Sequence, residues 1–287
     1  MSHPAYDLAL PRTRTTSVIF ASPHSGRTYS DAFLKASSLD AATIRSSEDA
    51  FVDLLYSAGP QFGAPLLTAH APRAYVDLNR GVDEMDAALI SGVRRLSQNP
   101  RVASGLGVIP RVVAGGRPIY RGKLTLEEAH NRIARHWRPY HDTLQTLIDQ
   151  SHSAFGEAIL IDCHSMPHEA MENVRDSTGA RPQIVLGDRF GAASSGSIVD
   201  CVEAAFAAAG FCVVRNMPFA GAFIAQQYGR PSRQQHAVQI EIDRALYMNE
   251  DTLELTSGFD DLCAALTPVI AEITEIGRAT QASVAAE

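Results

Sequence analysis

Cysteine is scarce in this 287-residue chain. The four residues, at 163, 201, 212 and 263, show neither the C-x-x-C spacing of a thiolate zinc site nor the density of a secreted disulfide framework. Reduced, buried thiols in a cytoplasmic protein are expected. Long apolar runs are missing as well: nothing approaches the roughly 20 residues that cross a bilayer. The N-terminal stretch alternates polar with apolar and carries Asp7, unlike an export signal. Positive charge is short, with 25 Lys and Arg against 32 Asp and Glu for a net charge of −7. That balance gives no general attraction to phosphate backbones or anionic membranes. The densest basic stretches, Arg94-Arg95 and Arg132 to Arg138, read as solvated helix faces, so neither nucleic acid nor membrane is an expected partner. No G-x-S-x-G serine elbow occurs, and Gly115-Gly116 lacks the spacing and context of a nucleotide-binding loop.

What is present is enough apolar residue, 45% of the chain, to bury a large core, and residues 1–287 read as a single domain. Short apolar runs bounded by turn residues mark buried strands at 17–22, 65–69, 158–162, 183–187, 211–215 and 237–242, and 74–78 reads the same way. Helical spacing occupies 48–56, with Ser46 or Ser47 as its cap, then 125–150 with Pro139 dividing it, 196–209, and most of 257–283. Between 81 and 123 the periodicity dissolves, as it does in functional loop regions. Strands alternating with helices predict an α/β fold, a three-layer αβα sandwich around a mixed, mostly parallel sheet.

Two strand ends carry imidazoles. The run at 17–22 leads into Pro23-His24-Ser25-Gly26, and the run at 158–162 ends in Asp162-Cys163-His164. In open α/β sheets ligands bind at the carboxyl ends of strands, where two such rings can meet on one metal ion. Catalytic zinc takes three N or O ligands and keeps a position open, so a carboxylate is needed beside His24 and His164. The pair Glu48-Asp49 is the nearest source; Asp49 is preferred, Glu48 stays open, and first-turn complementation of a helix dipole is the competing explanation. Asp162 is expected on the opposite face of its strand from His164, in a supporting role. Glu241 lies within the otherwise apolar Val238 to Ile242, where an unpaired carboxylate is costly; it is the candidate general base, or else the partner of Arg244 or Arg233 in a buried ion pair. Asn79 and Arg80 offer a fork of donors for a substrate carboxylate, and Arg73 a cation for a developing oxyanion. His130, His136 and His141 read as packing residues on the long helix, and His168 as a loop residue.

Ser22-Pro23-His24-Ser25-Gly26, Arg73 with Asp77-Leu78-Asn79-Arg80, Asp162-Cys163-His164-Ser165 and Gln239-Ile240-Glu241 together resemble the N-formylglutamate amidohydrolase family over roughly residues 17 to 250. Gly116 to Tyr120, Trp137 to His141 and Leu246-Tyr247-Met248 extend the likeness. That family is similar to the zinc carboxypeptidases and aspartoacylase, which implies a zinc-carboxypeptidase-like αβα fold with an eight-stranded mixed sheet. It also implies zinc on His24 and His164, a carboxylate grip at Asn79-Arg80, carbonyl polarisation by Arg73 and base catalysis by Glu241. The implied reaction hydrolyses N-formyl-L-glutamate to formate and L-glutamate, a late step of histidine breakdown. One position departs from the carboxypeptidase pattern: three residues after the first histidine stands Arg27, not glutamate, so the third ligand must come from elsewhere.

The rival readings are a carboxypeptidase-like or N-acetyl amino acid deacylase and, outside catalysis, a binding protein for acidic ligands. Two imidazoles and a carboxylate also suit iron, cobalt or manganese.

Overall fold

Nine consecutive residues, Ala158–Met166, form a central strand that is buried along its whole length. A strand covered on both faces has no need to alternate apolar with polar residues. The computed structural model describes residues 4–94, 99–176 and 178–278. Within them, seven strands make one sheet: β1 (Tyr6–Ala9), β2 (Val18–Ser22), β3 (Leu66–Ala69), β4 (Ala158–Met166), β5 (Ile184–Gly187), β6 (Val213–Arg215) and β7 (Gln235–Asp243), in spatial order β1-β3-β2-β4-β7-β5-β6. β3, β2, β4 and β7 run parallel, β1 is antiparallel at one edge, and β5 and β6 reverse direction at the other.

Side chains of successive strand residues enter opposite layers. Val18 and Phe20, with Ile159 and Ile161, pack against the helices Gly196–Ala208 and Gly258–Ile276. Ile19 and Ala21, with Leu160, pack against the helix Arg138–Phe155 through Leu144, Leu147 and Ile148. The result is the three-layer α/β sandwich that the sequence predicts, with seven strands among the described residues in place of the eight that the family resemblance implies.

Several expectations need correction. Residues 74–78 are not a strand: the amides of Tyr75 and Val76 turn back to the carbonyl of Pro72, and the segment bends through the sheet end with Val76 and Leu78 in the core. The helix near 48 is confined to Val52–Leu55, preceded by Phe51 in a left-handed conformation (φ 64°), so Glu48 and Asp49 lie in the loop before it and Ser46 and Ser47 cap nothing there. The helical stretch after 125 is Leu126–Arg132, a π-helical turn Ile133–Trp137, then Arg138–Phe155, which accommodates Pro139 in its first turn. Arg132 is no solvated residue. Buried, it donates to Tyr120 and Glu128 and lies over the Tyr75 ring. The C-terminal helix ends at Ile276; Arg95 and residues 279–283 lie outside the described residues. No helix among those residues is long and apolar enough to cross a membrane.

Candidate active site

Parallel register brings the two histidines together. Ala21 of β2 stands beside Asp162 of β4, so His24, just past the end of β2, arrives next to His164. The ring centroids are 4.8 Å apart. On the other side of β4, Glu241 of β7 is the direct partner of His164. The loop after β2 can follow this path because position 26 is glycine: a Cβ there would lie 2.2 Å from the carbonyl oxygen of Ala71. The amide of Asp49 donates to the carbonyl of His24 at 3.1 Å, fastening the loop that carries the carboxylate.

All three groups are buried. Oδ2 of Asp49 lies 2.9 Å from Nδ1 of His164 and 3.3 Å from Nδ1 of His24. Two other carboxylates stand behind the far nitrogens: His24 Nε2 hydrogen-bonds Asp77 Oδ1 at 2.7 Å, and His164 Nε2 lies 3.0 Å from Asp162 Oδ1 without a hydrogen bond between them. Carboxylates behind imidazoles fix ring orientation and raise ligand basicity. Asp162 therefore shares a face with His164 instead of opposing it, as residues two apart in a continuous strand must. Asn79 bridges this second layer: its side-chain amide nitrogen donates to Asp162 Oδ2 at 3.4 Å and sits 3.2 Å from His164 Nε2, while its oxygen accepts from the amide of Ile224.

The residues fit a divalent cation. Among the described residues His24 Nδ1 is buried without a hydrogen-bond partner, and it faces the same carboxylate oxygen as His164 Nδ1. His24, Asp49 and His164 each place a donor atom within 4.8 Å of the others. Electrostatics agree. Burial by itself would raise the Asp49 carboxyl, yet the hydrogen bond from His164 and the proximity of His24 hold it well below the usual carboxylate range. Burial would lower His164, yet Asp162 and Asp49 push it well above the ordinary imidazole value. Asp77 is likewise held low against its burial by His24 and Arg73. Such a cluster is arranged to retain positive charge at its centre. Glu48 does not join it: its carboxylate is taken by Tyr29 at 2.6 Å and by Arg45.

The cluster forms the floor of a cavity of about 540 Å³, whose walls include Arg73, Asn79, Arg80, Arg101, Gln239 and Glu241. Arg73 donates to Asp77 Oδ2 at 3.2 Å. Arg80 donates through Nε to the carbonyl of Leu106 and through Nη1 to that of Asn79. The backbone around it is fixed from the helical layer: Trp137 Nε1 donates to the carbonyl of Arg80, and His141 Nε2 reaches that of Leu78, each at 2.8 Å. Glu241 makes no ion pair with Arg244 or Arg233; its Oε1 accepts from Gln239 at 2.8 Å. Burial raises its carboxyl to about 7, with His164 opposing the shift.

Sequence reasoning passed over Asp77 and Gln239 and offered Arg244 only as a partner for Glu241. Arg244 donates to Asp49 Oδ1 at 2.9 Å and to Ser165, Asp77 backs His24, and Gln239 orients Glu241. Asp77 and Gln239 share their motifs with residues that sequence reasoning did select; Arg244 follows Asp243, the last residue of β7, and only the fold reveals its direction. The segment 99–118 contributes to the cavity lining through Leu106, Pro110 and Val112, in keeping with a loop region that shapes a site.

The N-formylglutamate amidohydrolase family model matches residues 16–248. N-formylglutamate deformylase of Pseudomonas aeruginosa is 31% identical over 261 residues, covering 90% of this chain and 91% of its own. The Pseudomonas putida enzyme of the same name is 30% identical, covering 81% and 82%. The crystal structure of N-formylglutamate amidohydrolase from Ralstonia eutropha JMP134 superposes with a TM-score of 0.89 at 35% identity, over 96% of this chain and 99% of that one.

Proposed function

Since this chain belongs to the N-formylglutamate amidohydrolase family, we propose that it hydrolyses N-formyl-L-glutamate, or a closely similar N-acylated acidic amino acid, to formate and L-glutamate. Residues 1–287 act as one domain in this reading, and the step belongs to histidine breakdown. The observation that carries the proposal is the convergence of His24, Asp49 and His164 beside a buried glutamate, Glu241, that makes no ion pair among the described residues. These three would hold one divalent ion, zinc by preference for a set of two imidazoles and a carboxylate; when bound, it supplies Lewis acidity and lowers the pKa of water.

The remaining work falls to side chains. Glu241, raised to about 7 by burial, is poised as a general base near neutral pH. It takes a proton from the attacking water and delivers it to the departing amine nitrogen. Arg73, on the cavity wall and close to Asp49 and Asp77, supplies donors to the oxyanion. Asn79 stiffens the second layer, and Arg80 offers its remaining terminal nitrogen to the substrate carboxylate.

Measuring formate and acetate released from N-formyl- and N-acetyl-L-glutamate tests the reading. Formate release that stops with a chelator supports it. Preferred acetate release reassigns the chain as a deacetylase, and turnover of neither leaves a binding protein.

A further inference from the structure

Among the described residues, four arginines line the cavity: Arg73, Arg80, Arg101 and Arg244. Two are already neutralised, Arg73 by Asp77 and Arg244 by Asp49. The other two differ. Arg80 is buried and donates only to backbone carbonyls through Nε and Nη1, so that Nη2 makes no hydrogen bond among the described residues. Arg101, on the short helix Pro100–Ala103, has no hydrogen bond or ion pair to its guanidinium among the described residues.

Asp77, on the cavity lining, and Glu84, outside it, act on Arg80 only at a distance; Glu84 accepts from the amide of Gly81 and from the side chain of Asn99. The second contact also pins the residue that caps the helix of Arg101: the oxygen of Asn99 accepts from the Arg101 amide. Arg101 is thus carried on an anchored support while its side chain stays available. Arg101 and Arg80 are close enough to repel one another. Two cavity arginines that repel one another, neither in an ion pair among the described residues, suit an anionic ligand, and a forked guanidinium matches a carboxylate. A cavity of about 540 Å³ falls in the range of small-molecule sites.

Resting on the hydrolase reading above, we infer that Arg101 is a specificity residue that binds the side-chain carboxylate of the substrate, while Arg80 takes the carboxylate next to the scissile amide. Arg101 is then the residue that selects a substrate with a second carboxylate over one without it. Charge decides the preference: a monoanionic substrate leaves Arg101 facing Arg80 uncompensated.

The test compares kcat/KM for N-formyl-L-glutamate and N-formyl-L-glutamine, which differ by one carboxylate, in the wild-type enzyme and in Arg101→Gln and Arg101→Lys. Wild type should favour the glutamate derivative by on the order of 10- to 100-fold, the value of a charge-assisted hydrogen bond. Arg101→Gln should lose most of that preference through a higher KM for the glutamate derivative, and Arg101→Lys should recover part of it. An unchanged preference in Arg101→Gln, or equal losses on both substrates, overturns the assignment while leaving the hydrolase reading intact. A wild-type enzyme inactive on both substrates overturns both.

Discussion

Nε2 of His24 and Oδ1 of Asp77 meet at 2.7 Å, both side chains buried, and this contact turns Nδ1 of His24 toward Asp49. On the neighbouring strand Asp162 stands behind His164, with 3.0 Å between Oδ1 and Nε2. Asp77→Asn keeps the size of the side chain, and its oxygen can still accept from the amide of Asn79, but it removes the charge behind the imidazole. Metal affinity should fall by about 10- to 100-fold, measured by competition with a chromophoric chelator. Unchanged affinity would show that the ring needs no such support.

Glu241→Gln should separate chemistry from metal binding. Turnover is expected to fall by about 10²- to 10⁴-fold with the metal content of the wild-type protein retained. The carboxylate must be ionised to accept a proton, so wild-type kcat/KM should decline as pH falls through about 7, or lower still once a bound cation stabilises the ionised form. The residual activity of Glu241→Gln should lack that acid limb. Loss of metal in the variant would place Glu241 among the ligands instead.

His141 predicts a pH-dependent stability. It is buried between Tyr228 and the carbonyl of Leu78, and burial lowers its pKa from 6.5 to about 4. In that interval the unfolded chain binds the proton and the native one does not, so stability drops as pH falls from 6.5 and levels off near 4. The full effect is roughly 3 kcal/mol at ~1.4 kcal/mol per pH unit. Denaturant unfolding at several pH values should show this loss in the wild type, and a smaller one in His141→Gln. Equal slopes for the two proteins would remove His141 as the cause.

Trp137→Phe deletes the donor to the carbonyl of Arg80 and keeps most of the ring. A net loss of about 1 kcal/mol in stability is expected, together with a several-fold higher KM for N-formyl-L-glutamate and a smaller change in kcat. A change confined to kcat would mean that Trp137 does not position the carboxylate-binding segment.

Much of the site was legible because it lies on strands that read clearly. β2, β4 and β7 are apolar runs between turn residues, and parallel pairing places His24, His164 and Glu241 in adjacent rows. The choice between Glu48 and Asp49 was not legible: neighbours in sequence, they diverge in space only because Tyr29 and Arg45 draw one away while the His24 loop binds the other. Ala74 to Leu78 alternates like a strand, but turns stemming from Pro72 override the pattern. Arg132 sits in a basic stretch on a helix, and its burial depends on Tyr75 and Tyr120, distant in sequence. Composition alone could not show that Arg244 serves Asp49, since that contact joins residues 195 positions apart.

Metal stoichiometry read together with activity tests the central claim most directly. Purified protein should carry about one divalent ion per chain, lose that ion and N-formylglutamate hydrolysis together on chelation, and regain both with zinc, whereas His24→Ala and His164→Ala should neither retain the ion nor be rescued. Full hydrolytic activity in protein stripped of metal would contradict the account.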